Sequence, residues 1–393
     1  MSRADEPIFG RPLLERLIML CRRAGIDNFM IEACPEQRNL LQAALGKFRD
    51  DPKIRVVDSI RQAIQRPESF APETLCVRFS GNLVLAQSQL EQALETYLAH
   101  QGSPLRISSA DHEHGGALAV GPLSQLIDQS VMAVRPDSVP AGSILPFALN
   151  GRPVDREEAE VRLARSVRHE SVNTDALMAR MVDRRFSWRI SLRLARTRVT
   201  PNQVTIFNTI VGLGCGLMLA SVSYWLRLCG ALLFLLSITL DGVDGELARL
   251  RMLESPFGKR LDVMTDNLVH VAVFTGIAAG CYRLNHSSAY WYVLAILLAG
   301  FGACAVSVNH ALSQAGDEAH RWISRVERAT GRDFAYVVAI LALFNQLYLF
   351  IWGTAFGTHI FALSLWWMSA RRQRSAVADR RARKIIIVGK ERL

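Results

Sequence analysis

Asp241 to Asp266 reads DGVDGELARLRMLESPFGKRLDVMTD, and its four aspartates stand in the frame D-x2-D-G-x2-A-R-x8-G-x3-D-x3-D within an otherwise apolar region. An ionised carboxylate at membrane depth loses several kcal/mol of hydration, so a fixed set of them implies a cation or a charged substrate. Asp241 and Asp244 are three residues apart and Ala248 lies seven beyond the first, so on a helix the three share a face. Asp262 and Asp266, four apart, share another. Two such helices joined by a turn at Pro256-Phe257-Gly258 would aim all four carboxylates at one point. Converging hard oxygens suit Mg2+ or Mn2+, and a site this rich in carboxylates has room for two ions bridging a diphosphate. Gly245 and Ala248 project no large side chain, which leaves the backbone open to a flat base or a diphosphate. Arg249 offers a fixed cation with a fork of donors for phosphate. The competing structural reading pairs the aspartates with Arg249, Arg251 and Arg260.

The complete frame resembles the signature of the CDP-alcohol phosphotransferase (CDP-alcohol phosphatidyltransferase) family. An aspartate pair alone also occurs in prenyl-diphosphate enzymes; the A-R-x8-G-x3-D-x3-D continuation separates the two. The resemblance implies that Asp241, Asp244, Asp262 and Asp266 ligate metal and that Asp266 is also the general base for the acceptor hydroxyl. Gly245, Ala248, Arg249 and Gly258 then lie at the nucleotide and substrate. The implied donor is CDP-diacylglycerol or a CDP-polyol, and the implied acceptor an alcohol such as a polyol phosphate.

Outward from the frame, the chain divides in character. Of its 393 residues 50% are hydrophobic, and the apolar runs concentrate between about 202 and 370. A chain of this length makes two domains the natural expectation. Six transmembrane helices are drawn at 202–222, 225–248, 264–283, 289–312, 334–351 and 353–370, each near the roughly 20 residues that cross a bilayer core. Arginines gather before the first span (Arg180, Arg184, Arg185, Arg189, Arg193, Arg196, Arg198), between the fourth and fifth (Arg321, Arg325, Arg328, Arg332) and in the tail, while the alternate connections hold little more than Arg227 and Arg283. The positive-inside rule therefore places both termini and the aspartates on the cytoplasmic side of the inner or plasma membrane. The net charge of +10 reads as a membrane-surface signal, because no nucleic-acid-binding motif accompanies it. Residues 174–197 mix apolar and aromatic side chains with arginine, as a juxtamembrane helix in the headgroup plane would. In TPNQVT, Thr200 to Thr205, Thr200 is a candidate N-cap and Pro201 a first-turn proline.

Residues 1–165 alternate short apolar strands with amphipathic helices, which predicts an α/β, Rossmann-like parallel sheet. GRPLLERLIMLCRRAG at Gly10 to Gly25 and the later FSGNLVLAQSQLEQAL resemble nucleotidyltransferase domains, as fused in bifunctional inositol-phosphate cytidylyltransferase/CDP-inositol phosphotransferases. The glycine-rich loop that would cradle phosphates has no room before the first helix. Asn82 stands where the resemblance places a metal-binding aspartate, and an amide carbonyl is a far weaker magnesium ligand. The expectation is a degenerate domain with a scaffolding, oligomerising or ligand-sensing role. The proline- and glycine-rich stretch Pro136 to Asp155 is the best boundary, with a juxtamembrane segment at 166–199 and the transmembrane domain with its basic tail at 200–393.

Asp111-His112-Glu113-His114 reads as a polar loop, since four adjacent residues cannot face one ion. His270 and His310 read as bundle residues. The seven cysteines form no C-x-x-C pair and are expected to be reduced. No cleavable signal peptide is visible. The expected protein is a homodimeric integral membrane enzyme moving a substituted phosphoryl group between alcohols with release of CMP. The alternative is a non-enzymatic membrane scaffold or transport protein with a decayed soluble half.

Overall fold

The computed structural model of the protein describes residues 7–64, 71, 73–99, 104–108, 117–127, 147–149, 153–172, 184–313 and 334–367. The chain forms two compact units. The first contains Met1–Asn173, Ser191–Val199 and Glu246–Glu254; the second contains Thr174–Ile190, Thr200–Gly245 and Ser255–Leu393.

In the first unit β1 (Pro7–Ile8) and β2 (Arg11–Pro12) form a small hairpin that leads into α1 (Leu13–Arg23). Apolar residues on α1 pack with α2 (Arg38–Ala44): Leu14 and Ile18 share a core with Leu41, Ala44, Leu45 and Phe48. The strands β3 (Phe29–Glu32) and β4 (Ile54–Val57) flank that core as a parallel pair, Phe29 opposite Ile54. Further on, β5 (Leu75–Phe79), β7 (Leu105–Ser108) and β8 (Ala117–Pro122) form an antiparallel sheet in the order β5-β8-β7, and β6 (Leu83–Val84) pairs with β9 (Phe147–Ala148).

The predicted single parallel sheet is thus realised in β3 and β4 alone among the described residues. The separation of β7 and β8 supplies the reason. Only residues 109–116 join them, and a parallel crossover needs a dozen or more residues, so the chain turns back as an antiparallel pair. Asn82 joins the β6–β9 region: its side-chain amide donates to Leu149 O at 3.2 Å, and its own carbonyl accepts from the Leu149 N–H at 2.9 Å. An aspartate carboxylate could not make the first of these bonds. The helices α3 (Ile60–Ile64), α4 (Gln87–Ala99) and α5 (Leu123–Ile127) are followed by α6 (Pro153–Val172), which runs straight across residue 165. Asp111 to His114 and most of Pro136 to Asp155 lie outside the described residues.

After α7 (Arg184–Ala195) come α8 (Pro201–Leu219), α9 (Tyr224–Arg251), α10 (Pro256–Asn285), α11 (Ala289–Ser313), α12 (Phe334–Leu343) and α13 (Leu347–Trp367). Five of the described helices, α8 to α11 and α13, are long and apolar enough to cross a membrane. The expected fifth span is represented among the described residues only by the ten-residue α12, and the break before the last span falls at Phe344–Gln346 rather than near Gly353. Asn345 adopts the left-handed conformation there, φ 58°, which asparagine tolerates better than most residues. Gly353 to His359, GTAFGTH, is helical. Most of the arginines used to orient the chain lie outside the described residues.

Thr200 and Gln203 form a reciprocal capping box at the start of α8, with Pro201 at the first helical position. The packing of α8 against α10 is close: a Cβ at Gly276 would stand 2.1 Å from Gly216 O, and one at Gly216 would stand 2.7 Å from Ala272 O. Only glycine lets the two backbones approach this far. The bundle core is filled by Cys215, Leu219, Phe234, Val273, Phe274, Ile277, Val338 and Phe350, among others.

Candidate active site

Two helices carry the aspartates. The apolar run of α9 continues as one helix through Asp241 and Asp244 to Arg251, so both carboxylates are presented from regular backbone. Its end is a Schellman turn. Leu253 N–H donates to Ala248 O at 2.8 Å and Met252 N–H to Arg249 O at 3.2 Å, with Met252 in the left-handed region at φ 53°. Next, α10 begins at Pro256, with Ser255 as its N-cap and Ser255 Oγ accepting from the Gly258 N–H at 3.0 Å. The connection is therefore Met252–Ser255. Pro256, Phe257 and Gly258, expected as the turn, form the first turn of α10, because a proline after a serine cap favours helix entry.

This short connection brings Asp241 of α9 beside Asp262 and Asp266 of α10. One carboxylate oxygen from each lies within 4.8 Å of the others, and all three residues are half-buried. Asp244 stands differently. It is buried, at 6% exposure; Thr205 Oγ1 of α8 donates a short hydrogen bond to its Oδ2, and the Gly245 N–H donates to Oδ1 at 2.6 Å. A carboxylate oxygen has a second lone pair, so these bonds orient Asp244 without exhausting its capacity as an acceptor. The pattern in the chain singled out four aspartates for one point, of which three are grouped here, and it missed Thr205, the last residue of TPNQVT, which hydrogen-bonds to Asp244. One turn further along α8, buried Asn208 accepts through Oδ1 from Ser237 Oγ of α9 at 2.8 Å, continuing the polar seam between these helices.

The other candidates take distinct places. Gly245 is exposed on α9, one residue after Asp244, and Ala248 and Arg249 are half-buried in its last turns. Gly258 faces α8: a Cβ there would lie 3.2 Å from Asn202 Oδ1 and 3.1 Å from Ser255 Oγ, so a larger residue would press on the TPNQVT segment. His270 is held in an aromatic box, its ring centroid 5.2 Å from that of Phe334, 6.0 Å from Phe301 and 6.3 Å from Phe274. This is the surrounding of a packing residue. All seven cysteines are free.

The donor set fits a hard divalent cation. Three carboxylate oxygens within 4.8 Å of one another are the kind of hard donor set that an oxygen-seeking divalent cation takes.

Residues 198–368 match the family model described as CDP-alcohol phosphatidyltransferase. A bifunctional IPC transferase and DIPP synthase from Aquifex aeolicus is 32% identical over 136 residues, 34% of this chain and 29% of that protein. Its counterpart from Rubrobacter xylanophilus is 38% identical over 110 residues, 28% of this chain and 24% of that protein. An archaetidylinositol phosphate synthase from Pyrococcus horikoshii is 35% identical over 94 residues, 23% of this chain and 47% of that protein. The aligned stretches thus span less than half the length of each relative. The segment that supplies Asp241, Asp244, Asp262 and Asp266 lies wholly inside residues 198–368, the stretch that matches the CDP-alcohol phosphatidyltransferase family model.

Proposed function

We propose that the protein is an integral membrane CDP-alcohol phosphotransferase that transfers a substituted phosphoryl group from a CDP-alcohol to an acceptor alcohol and releases CMP. The observation that carries this reading is the convergence of Asp241, Asp262 and Asp266 within a domain of that family. These three and Asp244 would hold the metal, most simply as two Mg2+ or Mn2+ ions. When bound, the metal neutralises diphosphate charge and stabilises the departing CMP. Asp266 accepts the proton of the acceptor hydroxyl as that oxygen attacks the β-phosphorus; the new P–O bond forms as the bond to the oxygen bridging to CMP breaks. Arg249 binds phosphate, and Gly245, Ala248 and Gly258 leave the helix surfaces open to the nucleotide. Thr205 holds Asp244 in the orientation required of a ligand.

The names of the relatives support a polyol phosphate such as an inositol phosphate on one side of the reaction, with CDP-diacylglycerol or a CDP-polyol as donor. The arginine distribution supports a cytoplasmic site, and the nucleotidyltransferase likeness of residues 1–165, with Asn82 acting as a structural staple, supports a catalytically silent role for those residues. The assembly proposed is a homodimer.

The test is CMP release by detergent-purified protein with Mg2+ or Mn2+, screening CDP-diacylglycerol and CDP-polyols against glycerol phosphate, inositol phosphate and lipid alcohols. Turnover is expected for at least one pair, with a loss on the order of 10²–10⁴-fold in Asp266→Asn, the range associated with removing a general base. If no pair exceeds the Asp266→Asn background, the reading fails in favour of a non-enzymatic membrane protein.

A further inference from the structure

The end of α9 is secured in an unusual way. The last four carbonyls of a helix have no partner within it. Here the Schellman turn satisfies Ala248 O and Arg249 O through backbone amides. Leu250 O and Arg251 O remain, and both accept from arginines of one segment far away in sequence. Arg16 Nη1 donates to Leu250 O at 2.6 Å and Arg11 Nε to Arg251 O at 2.8 Å. Arg23, two turns further along α1, pairs with Glu254 in the connection itself. Three arginines of GRPLLERLIMLCRRAG thus grip the link between the two aspartate-bearing helices, and all these groups belong to the first unit.

Several features indicate a built arrangement rather than a chance surface pairing. Arg16 is only 3% exposed, and burial, with Arg11 and Arg23 adding repulsion, pushes its guanidinium down to about 10, partly opposed by Glu160 and Glu15. It is therefore still a cation at neutral pH, held at a loss of hydration. Glu15 pairs with Arg11, and Glu160, also buried, accepts from Arg196 Nε at 3.0 Å. Met252 adopts a left-handed conformation that a branched or long side chain resists, at the one residue where glycine is the usual choice. A turn of this kind persists when its surroundings over-determine it.

We propose that Arg11, Arg16 and Arg23 form a clamp on the α9–α10 link, and that through this clamp the first unit positions Asp262 and Asp266 against Asp241. This rests on the phosphotransferase reading of the aspartates. The arginines are positioning residues that need not touch substrate or metal: they fix where α9 ends and how α10 departs from it. The nucleotidyltransferase-like half thereby has a present task that does not depend on any reaction of its own.

The clamp is tested on full-length protein in detergent by two readouts besides turnover: Mn2+ affinity by electron paramagnetic resonance, and amide hydrogen exchange from Leu253 to Asp262. Arg16→Met and Arg11→Met are expected to weaken Mn2+ binding roughly tenfold, the low end of what losing an outer-shell partner does, and to accelerate exchange in the link. Arg38→Met, which removes an exposed pair with Asp58, is expected to change neither. Arg16→Lys should recover part of the loss, since it restores a donor without the planar fork. If Arg16→Met does not fold, Arg11→Met, on the more exposed arginine, carries the same comparison. Unchanged Mn2+ affinity and unchanged exchange in folded variants would overturn the clamp. If the wild type binds Mn2+ no better than Asp266→Asn, the metal reading fails, and link exchange alone decides the clamp. Should Mn2+ binding respond as expected while CMP release is absent, the reaction is wrong and the clamp stands.

Discussion

Thr205 is the residue on which the site departs most from its linear frame. Its hydroxyl faces the buried carboxylate of Asp244, so Thr205→Val keeps the shape and removes the donor. Leaving a buried acceptor short of one bond costs about 1–3 kcal/mol. We expect Thr205→Val to lower CMP release by roughly tenfold, since 1.4 kcal/mol corresponds to that factor, and Thr205→Ser to restore it. Equal rates for wild type and Thr205→Val would leave Asp244 positioned by Gly245 alone. A second residue-scale expectation concerns Asp51. The Lys53 N–H, 3.0 Å away, and the Arg22 guanidinium hold its carboxyl below the usual range. A depressed folded value means that the stabilisation is present above the unfolded value, about 3.9, and is lost as pH falls through the folded one. The thermal midpoint of the first unit should accordingly decline below about pH 4 in the wild type, and that part of the decline should be absent in Asp51→Asn. The aspartate frame was legible because i,i+3 and i,i+4 spacing states which side chains share a helix face. The Thr205 bond was not, since it depends on how α8 is rotated against α9, which one chain segment cannot specify.

Among the elements, the pairing of α8 with α10 makes the sharpest claim. Gly276 and Gly216 meet backbone to backbone, whereas a Cβ at Gly214 would meet nothing within 4 Å. Gly276→Ala should therefore destabilise the bundle by about 1–3 kcal/mol through overpacking, and Gly214→Ala should not. Thermal unfolding in detergent, read on both variants, separates the seam from a general intolerance of glycine replacement. Thr200-Pro201 opens α8 as expected, whereas Ser255-Pro256, the same cap-and-proline pair, opens α10 where a turn at Pro256-Phe257-Gly258 was expected. Sheet pairing was not. Alternating strands and helices predict which segments are extended, but the length of chain available between β7 and β8 decided their direction. Asn345 and Gln346 mark the break before the last span, and Gly353 and Gly357 sit within α13, where a helix satisfies most backbone groups along its own length.

For the whole molecule, the two units differ in what they show to the surroundings. On α8 the side chains of Leu217, Ile210 and Phe207 are outward-facing, Leu217 at 79% exposure, and α13 does the same with Trp366, Leu363 and Ile360. Such faces belong against lipid, and the protein should remain in the membrane pellet after an alkaline carbonate wash. Cys34, exposed in the first unit, tests the proposed orientation. A membrane-impermeant maleimide should label it in inverted vesicles and leave it unlabelled in intact cells, with Cys34→Ser identifying the signal. Labelling in intact cells would reverse the orientation. The fixed run of eight residues between Arg249 and Gly258 acquires a meaning at this scale: two close one helix, four cross over, and two open the next. Because each helical residue turns about 100°, one residue inserted between Pro256 and Gly258 would swing Asp262 and Asp266 by more than a quarter turn relative to the cap that starts their helix. The segment therefore acts as a ruler whose length matters more than its lettering, and an insertion scan should find it intolerant even where single substitutions pass unnoticed.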